Sequence, residues 1–403
     1  MMRQILHMDL DSFFVSVERK IDSRLNNQPI MVGSTSGRGV VAACSYETRR
    51  FGVRSGMPMR MARELCPEAV VIRGNTSAYS RHSREVTEIV KEEVPVLEKA
   101  SIDEFYADLS GMGRFFSTQG FASELRHRII RETGLPISLG LSVNKTVSKV
   151  ATGEAKPNNE RYVQEGGERS FLRPLSIRKI PMVGEKTYAV LRDLGIYTVG
   201  TLQEMPVDML QSVMGKHGSV LWHKAQGVDP SPVVQTRERK SISTERTFEQ
   251  DRDNAQELKD TLSAMAENLA YQLRRAGKVT GNLAVKVRYS DFQTYSKQRS
   301  ISYTAADHNI IPVIMELFNQ VHQRRVRIRL VGIRLSDLVN GGEQYGLFEA
   351  REKERGLYDA MDQIRNRFGD RAILRANGIQ ARSVGRYNPF SGEPPILLAN
   401  RRQ

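Results

Sequence analysis

The chain has 403 residues and a formal net charge of +14, from 60 lysines and arginines against 46 acids. That excess favours a polyanionic partner, either nucleic acid or an acidic membrane surface. No stretch approaches the roughly 18 apolar residues of a membrane span, and Cys44 and Cys66 form neither a zinc pattern nor a disulfide framework. A reducing, cytoplasmic setting is expected, and the acids at Asp9 and Asp11 speak against a secretory leader. The length predicts two to four domains.

ILHMDL reads as a buried strand, with Leu6, Met8 and Leu10 on one face and His7, Asp9 and Asp11 on the other. PIMV and GVVAAC follow as strands. The intervening GSTSGRG reads as a connection rather than a phosphate cradle, and no Walker A loop occurs. SYETRRFG is a short helix stopped by Gly52, and MPMRMAREL sets Met57, Met61 and Leu65 at helical spacing. A helix from about Ser77 to Glu93 ends before Pro95. VPVLEKASIDEFYADLS has strand character, and GFASELRHRIIRETG is a helix stopped at Gly134. ISLGLSV is a strand leading into the helix NKTVSKVATGEA. This irregular mixture predicts α+β.

From 167 to 230 short helices dominate, with a tight turn at Pro181, Val183 and Gly184. DPSPVVQTRERKSIS is polar, basic and proline-bearing, as a linker would be. The next helix carries Leu258, Leu262, Met265, Leu269 and Leu273 on one face. LAVKVRY alternates Leu283, Val285 and Val287 with Lys286 and Arg288. RRVRIRL alternates Val326, Ile328 and Leu330 with Arg325, Arg327 and Arg329. The phase slips near Gly332, as at a bulge, and Arg334 follows. These strands place only positive charge on their polar face, which favours a phosphate-tracking surface over an ordinary solvated one.

ASIDEFYADL sets Asp103 and Glu104 side by side among apolar and aromatic residues. A solvated turn is one reading, since ionised carboxylates normally stay exposed. In the other, this strand neighbours the one ending near Asp9, and divalent cations neutralise three converging carboxylates. Hard oxygen ligands suit Mg²⁺, and two such ions about 3.5–4 Å apart can activate an attacking oxygen and stabilise a leaving one. Spacing alone leaves both readings open.

HMDLDSFF, ACSYETRRFGVRSGMP, ASIDEFYADL and AKPN, in that order, resemble the four palm and finger motifs of Y-family translesion DNA polymerases. The wording is nearest the DinB type, and SISTERTF resembles the same branch. The resemblance implies a right-hand polymerase of α+β class with several domains. They are a ferredoxin-like palm (1–10 and 77–166), small fingers (11–76), a helical thumb with a helix-hairpin-helix (167–230), a linker (231–241), an α/β little finger (242–340) and a tail (341–403). It further implies low-fidelity, template-directed addition of dNTPs to a primer 3′-hydroxyl, damaged templates included. The agent would be a monomer using two Mg²⁺ ions on primed template DNA.

By the same resemblance Asp9, Asp103 and Glu104 are the catalytic metal ligands, with the Leu10 carbonyl assisting. Phe14 would be the steric gate that excludes a 2′-hydroxyl, and Phe13 would shape its pocket; both rings could instead be core. Tyr46, Arg49 and Lys156 would grip the triphosphate, the arginine in a bidentate manner and the lysine as a point charge. Ser101 and Lys145 also occupy motif positions, where a structural role is equally open.

IPMVGEKT resembles a helix-hairpin-helix, in which Pro181, Val183, Gly184 and Lys186 would hold a DNA phosphate without reading sequence. Lys240, Lys286, Arg288, Arg325, Arg327, Arg329 and Arg334 would line duplex DNA. EQYGLFE resembles a bacterial sliding-clamp motif, with Gln344, Leu347 and Phe348 as its anchors. Two departures from that family's pattern stand out: AKPNN lacks the glycine that commonly follows the asparagine, and Phe105 stands where many members carry a smaller residue. Competing readings are a nucleotidyl cyclase, which needs no DNA, and a non-catalytic DNA- or clamp-binding protein.

Overall fold

Alternation in the first strand sets the centre of the first sheet. β1 (Ile5–Leu10) sends Leu6, Met8 and Leu10 into a hydrophobic cluster, leaving His7 and Asp9 on the other face. In the computed structural model, which describes residues 3–34, 36–114, 117–235, 238–341, 352–369 and 372–378, the chain forms two compact units dividing at 237/238. The expected clamp anchors Gln344, Leu347 and Phe348 lie outside the described residues.

In the first unit β1 is followed by α1 (Phe13–Ile21), β2 (Ile30–Gly33), β3 (Val41–Cys44), α2 (Tyr46–Arg50), α3 (Met59–Leu65), β4 (Val70–Ile72) and α4 (Thr76–Glu93). Then come β5 (Val96–Lys99), β6 (Glu104–Asp108), α5 (Thr118–Thr133), β7 (Ile137–Ser142), α6 (Lys145–Ala155) and β8 (Glu160–Tyr162). Five strands run in the order β5-β6-β1-β7-β8, with only the last pair parallel. α4 and α5 supply Val86, Val90, Leu125 and Ile129 to the cluster beneath β1.

The opposite face takes α6. A Cβ at Gly140 of β7 would collide with the backbone of Ser148 and Thr152, so its absence lets the helix lie directly on the strand. The stretch expected as one strand around Ser101 is a hairpin, because the Ala100 and Ser101 amides both donate to the Glu104 carbonyl. A smaller sheet, β3-β2-β4, has its own core of Met31, Val41, Cys44, Val53, Met59, Ala62 and Cys66. The packing face of α3 is therefore Met59 and Ala62, whereas Met61 and Leu65 are exposed.

Five short helices complete this unit: α7 (Glu168–Leu172), α8 (Glu185–Asp193), α9 (Val199–Glu204), α10 (Val207–Met214) and α11 (Lys216–Ala225). Their Leu172, Leu191, Leu202, Leu210 and Leu221 converge on a third cluster.

The second unit holds β9 (Ser241–Arg252), α12 (Ala255–Arg275), β10 (Lys278–Tyr289), β11 (Thr294–Thr304), α13 (Asp307–Val321), β12 (Ile328–Asn340) and α14 (Glu352–Phe368). Its antiparallel sheet runs β11-β10-β12-β9. The leucine face of α12 packs on Leu283, Val285, Val287, Val331, Ile333 and Leu335. The register breaks between Ile328 and Leu330, so the bulge falls at Arg329 rather than near Gly332. Val331 pairs with inward-facing Val287 and takes the core position expected for Leu330, which pairs with Arg288 on the other face.

α14, part of the expected tail, docks through charge. Arg365 is buried and reaches Glu267 of α12 at 2.8 Å, while Arg274 bridges Asp307 of α13 at 2.8 Å and Asp362 of α14 at 2.7 Å. Among the described residues no helix is long and apolar enough to cross a membrane.

Candidate active site

The β1–β6 register sets Asp9 opposite Glu104, with Asp103 just ahead of β6, and the Leu10 amide donates to the Asp103 carbonyl at 3.0 Å. The acids are thus neighbours, as the strand reading requires. Each nevertheless has its own partner. Lys156 Nζ donates to Asp9 Oδ1, Lys149 Nζ reaches both Glu104 oxygens at 2.7 Å, and Ser101 Oγ donates to Asp103 Oδ1 at 2.5 Å. The Ser101 oxygen also accepts from the Glu104 amide at 3.0 Å, which fixes the turn carrying both acids.

Among the described residues no three acidic, histidine or cysteine side chains are gathered as a ready metal-ligand cluster. The electrostatics still call for positive charge. Burial, helped by Asp103 and Glu104 and opposed by Lys156, raises the Asp9 carboxyl to about 7. Asp103 is raised too, by burial first and Glu104 next, with Ser101 and Lys156 opposing. Hard oxygen donors short of compensating charge are a donor set that fits a divalent cation.

Asp11 is the hub that sequence reasoning missed. It is buried, and its carboxylate accepts from Tyr46 Oη at 3.1 Å, Ser138 Oγ at 2.7 Å and the Asn158 amide at 2.7 Å, with Lys156 Nζ at 3.7 Å. It ties α2, β7 and the loop after α6 to β1. Burial, with Asp11 beside it, pushes the Tyr46 hydroxyl up, and the Arg49 guanidinium lies 4.7 Å from the Tyr46 ring centre. Tyr46, Arg49 and Lys156 thus cluster near the acids.

Lys149 was also missed, although it lies one helical turn after Lys145 on α6. Lys145 pairs with buried Glu98 at 2.7 Å and covers Tyr106. Phe13 and Phe14 both lie in the hydrophobic cluster; Phe14 is 6% exposed and stacks on Tyr79 at 4.3 Å. The loop Ile180–Gly184 faces α6 across a cavity of about 520 Å³ walled by His7, Asp9, Lys149, Lys156, Arg178 and Lys179. Exposed Lys186 lies in the first turn of α8, and the Met182 backbone has φ 81.

In the second unit one sheet face carries Lys286, Arg288 and Arg334, with Arg329 at the bulge and Arg325 and Arg327 just before β12. The face is not of single sign, because β9 brings Glu245 to Lys286 at 2.5 Å, and Arg327 meets Asp253 at 3.4 Å. Arg288, Arg325, Arg329 and Arg334 have no acidic partner among the described residues. Lys240 is exposed one residue ahead of β9.

The fold is that of a right-hand polymerase. A solved Y-family DNA polymerase chimera of Dbh and Dpo4 superposes with TM-score 0.76 at 24% identity, covering 84% of this chain and all of that one. Residues 8–153 match the impB/mucB/samB family, 239–347 its C-terminal domain, and 178–229 a DNA polymerase-iota thumb domain. A DNA polymerase IV of Dehalococcoides mccartyi is 38% identical over 371 residues, 91% of this chain and 95% of that protein. Those of Methanoculleus marisnigri and Streptococcus agalactiae are 36% and 34% identical, covering 84% and 85% of this chain and 95% of each relative. The chain belongs to the impB/mucB/samB family of Y-family DNA polymerases, in its DNA polymerase IV branch. It is a DNA-directed DNA polymerase of the translesion class.

Proposed function

We propose that the chain extends primed template DNA in the cytoplasm as a monomer, with Asp9, Asp103, Glu104 and the Leu10 carbonyl as ligands for two Mg²⁺ ions. The observation that carries this is the β1–β6 register, which sets Asp9 opposite Glu104 with Asp103 just ahead of β6 and so gathers three carboxylates at one strand end. When bound, the ions would lower the cost of deprotonating the primer 3′-hydroxyl and of charge building on the leaving pyrophosphate.

The protein's own part is placement. Ser101 and Lys149 hold the acids, and Asp11 holds Tyr46 and the Lys156 loop. With ions bound, Lys156 would be released from Asp9 to take a triphosphate oxygen beside Tyr46 and Arg49. Phe14, backed by Tyr79 and flanked by Phe13, would lie under the sugar and exclude a 2′-hydroxyl.

Residues 1–10 and 77–166 would serve as palm, 11–76 as fingers, 167–230 as thumb, 231–241 as linker and 242–340 as little finger. The amides of the Pro181–Gly184 turn, with Lys186, would hold one DNA phosphate. The arginines of the basic sheet that lack an acidic partner, with Lys240 and Lys286, would track others. Gln344, Leu347 and Phe348 would recruit a bacterial sliding clamp.

Gel extension of a primed template with each dNTP, undamaged and with a minor-groove guanine adduct, tests the reading. Templated addition on both substrates is expected. A product formed from nucleotide alone, without DNA, would instead favour a cyclase.

A further inference from the structure

The turn joining β10 to β11 holds an aromatic ring where its backbone favours glycine. Phe292 has φ 65, in the left-handed region that a Cβ disfavours and glycine enters freely. Burial does not repay that strain, because Phe292 is 63% exposed and stands outside the second unit's hydrophobic cluster. The conformation is held by backbone bonds, with the Phe292 amide donating to Tyr289 and the Tyr289 amide to Gln293, both at 3.0 Å.

One cation marks the ring. The Arg329 guanidinium sits 4.6 Å from its centre, and Arg329 has no acidic partner among the described residues. The turn's own acid, Asp291, is taken by Arg324 at 2.7 Å and leaves Arg329 uncompensated. Nearby Tyr295 is a second exposed ring, edge-on to Tyr289. A protein-docking hot spot would be expected to have more apolar surface around it, whereas Phe292 is flanked by Asp291, Gln293 and Thr294.

We propose that this turn is a stacking platform for unpaired DNA bases. Phe292 takes a base on the ring face away from Arg329, and Arg329 takes the adjoining phosphate. Bases within a duplex already stack on one another, so the ligand is single-stranded DNA. A strained, exposed aromatic beside an arginine with no acidic partner fits that ligand better than it fits a structural role. The inference rests on the polymerase reading only for the source of the strand, the unpaired template.

The test is fluorescence anisotropy of the full chain with two probes, a primed template bearing an unpaired 5′ overhang and a blunt duplex of equal length. Phe292→Gly should weaken the overhang complex roughly five-fold or more and leave the blunt complex unchanged. Its melting temperature should hold or rise, and Phe292→Trp should restore overhang binding. Equal loss on both probes, no loss on the overhang, or a lowered melting temperature would each overturn the proposal. Primer extension by the wild type keeps the outcomes separate: an extending enzyme whose Phe292→Gly variant binds overhangs normally defeats the platform alone.

Discussion

The acids of the first unit and the arginines of the second solve opposite electrostatic problems. Asp9, Asp103 and Glu104 are partly buried and mutually repelling, and each is answered by one neighbour at hydrogen-bond distance. Arg288, Arg325, Arg329 and Arg334 stand on a solvated sheet and its edge without acidic partners. Burial makes the first set sensitive to a single charge, because desolvation magnifies each interaction. Solvation makes the second set additive and salt-screened. Reaction rate and DNA affinity should therefore separate by mutation, the acids controlling one and the arginines the other.

The largest expected effect short of catalysis itself is on salt dependence. If about 6–10 phosphates are contacted in all, affinity falls roughly 10³–10⁵ between 50 and 200 mM salt. Removing Arg288 and Arg334 together should lower the log–log slope by about 2 without changing the single-turnover rate at saturating DNA. An unchanged slope would take the sheet out of the DNA interface.

Phe14 comes next. Its stack on Tyr79 means that Phe14→Ala should cost about 3–5 kcal/mol, so a gate role does not leave folding untouched. Phe14→Leu keeps much of the volume. It should melt only modestly lower yet raise the ratio of ribonucleotide to deoxynucleotide kcat/KM by orders of magnitude. An unchanged ratio would confine Phe14 to the core.

Asp9 links charge to stability. Its folded carboxyl titrates near 7, above the unfolded value of about 3.9. Between those values the folded state therefore holds the extra proton, and metal-free stability falls as pH rises from about 4 to 7. The full span corresponds to about 4 kcal/mol at most. Asp9→Asn should flatten that slope and melt higher than wild type at pH 7.5, with the two converging near pH 4. Parallel melting curves across the range would refute the assignment of the strain to Asp9.

Met182 carries the smallest effect. Exposed and at φ 81, it should gain about 0.5–1 kcal/mol on replacement by glycine, which enters that region freely. A lower melting temperature for Met182→Gly would mean that the side chain contributes more than its backbone costs.

Much of the site was legible because period-2 alternation and the four motifs act locally. Alternation aligned His7 with Asp9, and the strand reading made the β1–β6 pairing plausible. The remainder depended on contacts between distant residues. Asp11 gains its role from Tyr46, Ser138 and Asn158, which no local pattern joins to it. Phe14 meets Tyr79 only after α4 packs against α1. Ser101 is the local exception: its side chain accepts from the Glu104 amide three residues on and supports the hairpin closed by the Ala100 and Ser101 amides. In β12, adjacent Leu330 and Val331 offered two registers, and the position opposite Val287 decided between them. Glu245 entered the basic face from β9, which the alternation of β10 and β12 could not reveal.

The most direct test measures one variant twice. Glu104→Gln keeps the shape of a residue held by Lys149 and removes its charge. Single-turnover dNTP addition should fall by at least about 10³, a loss of roughly 4 kcal/mol in the barrier, while the Kd for primed DNA stays within about two-fold. Near-normal addition by Glu104→Gln, or a loss of DNA affinity as large as the loss of rate, would contradict the claim that these acids serve the reaction through their charge.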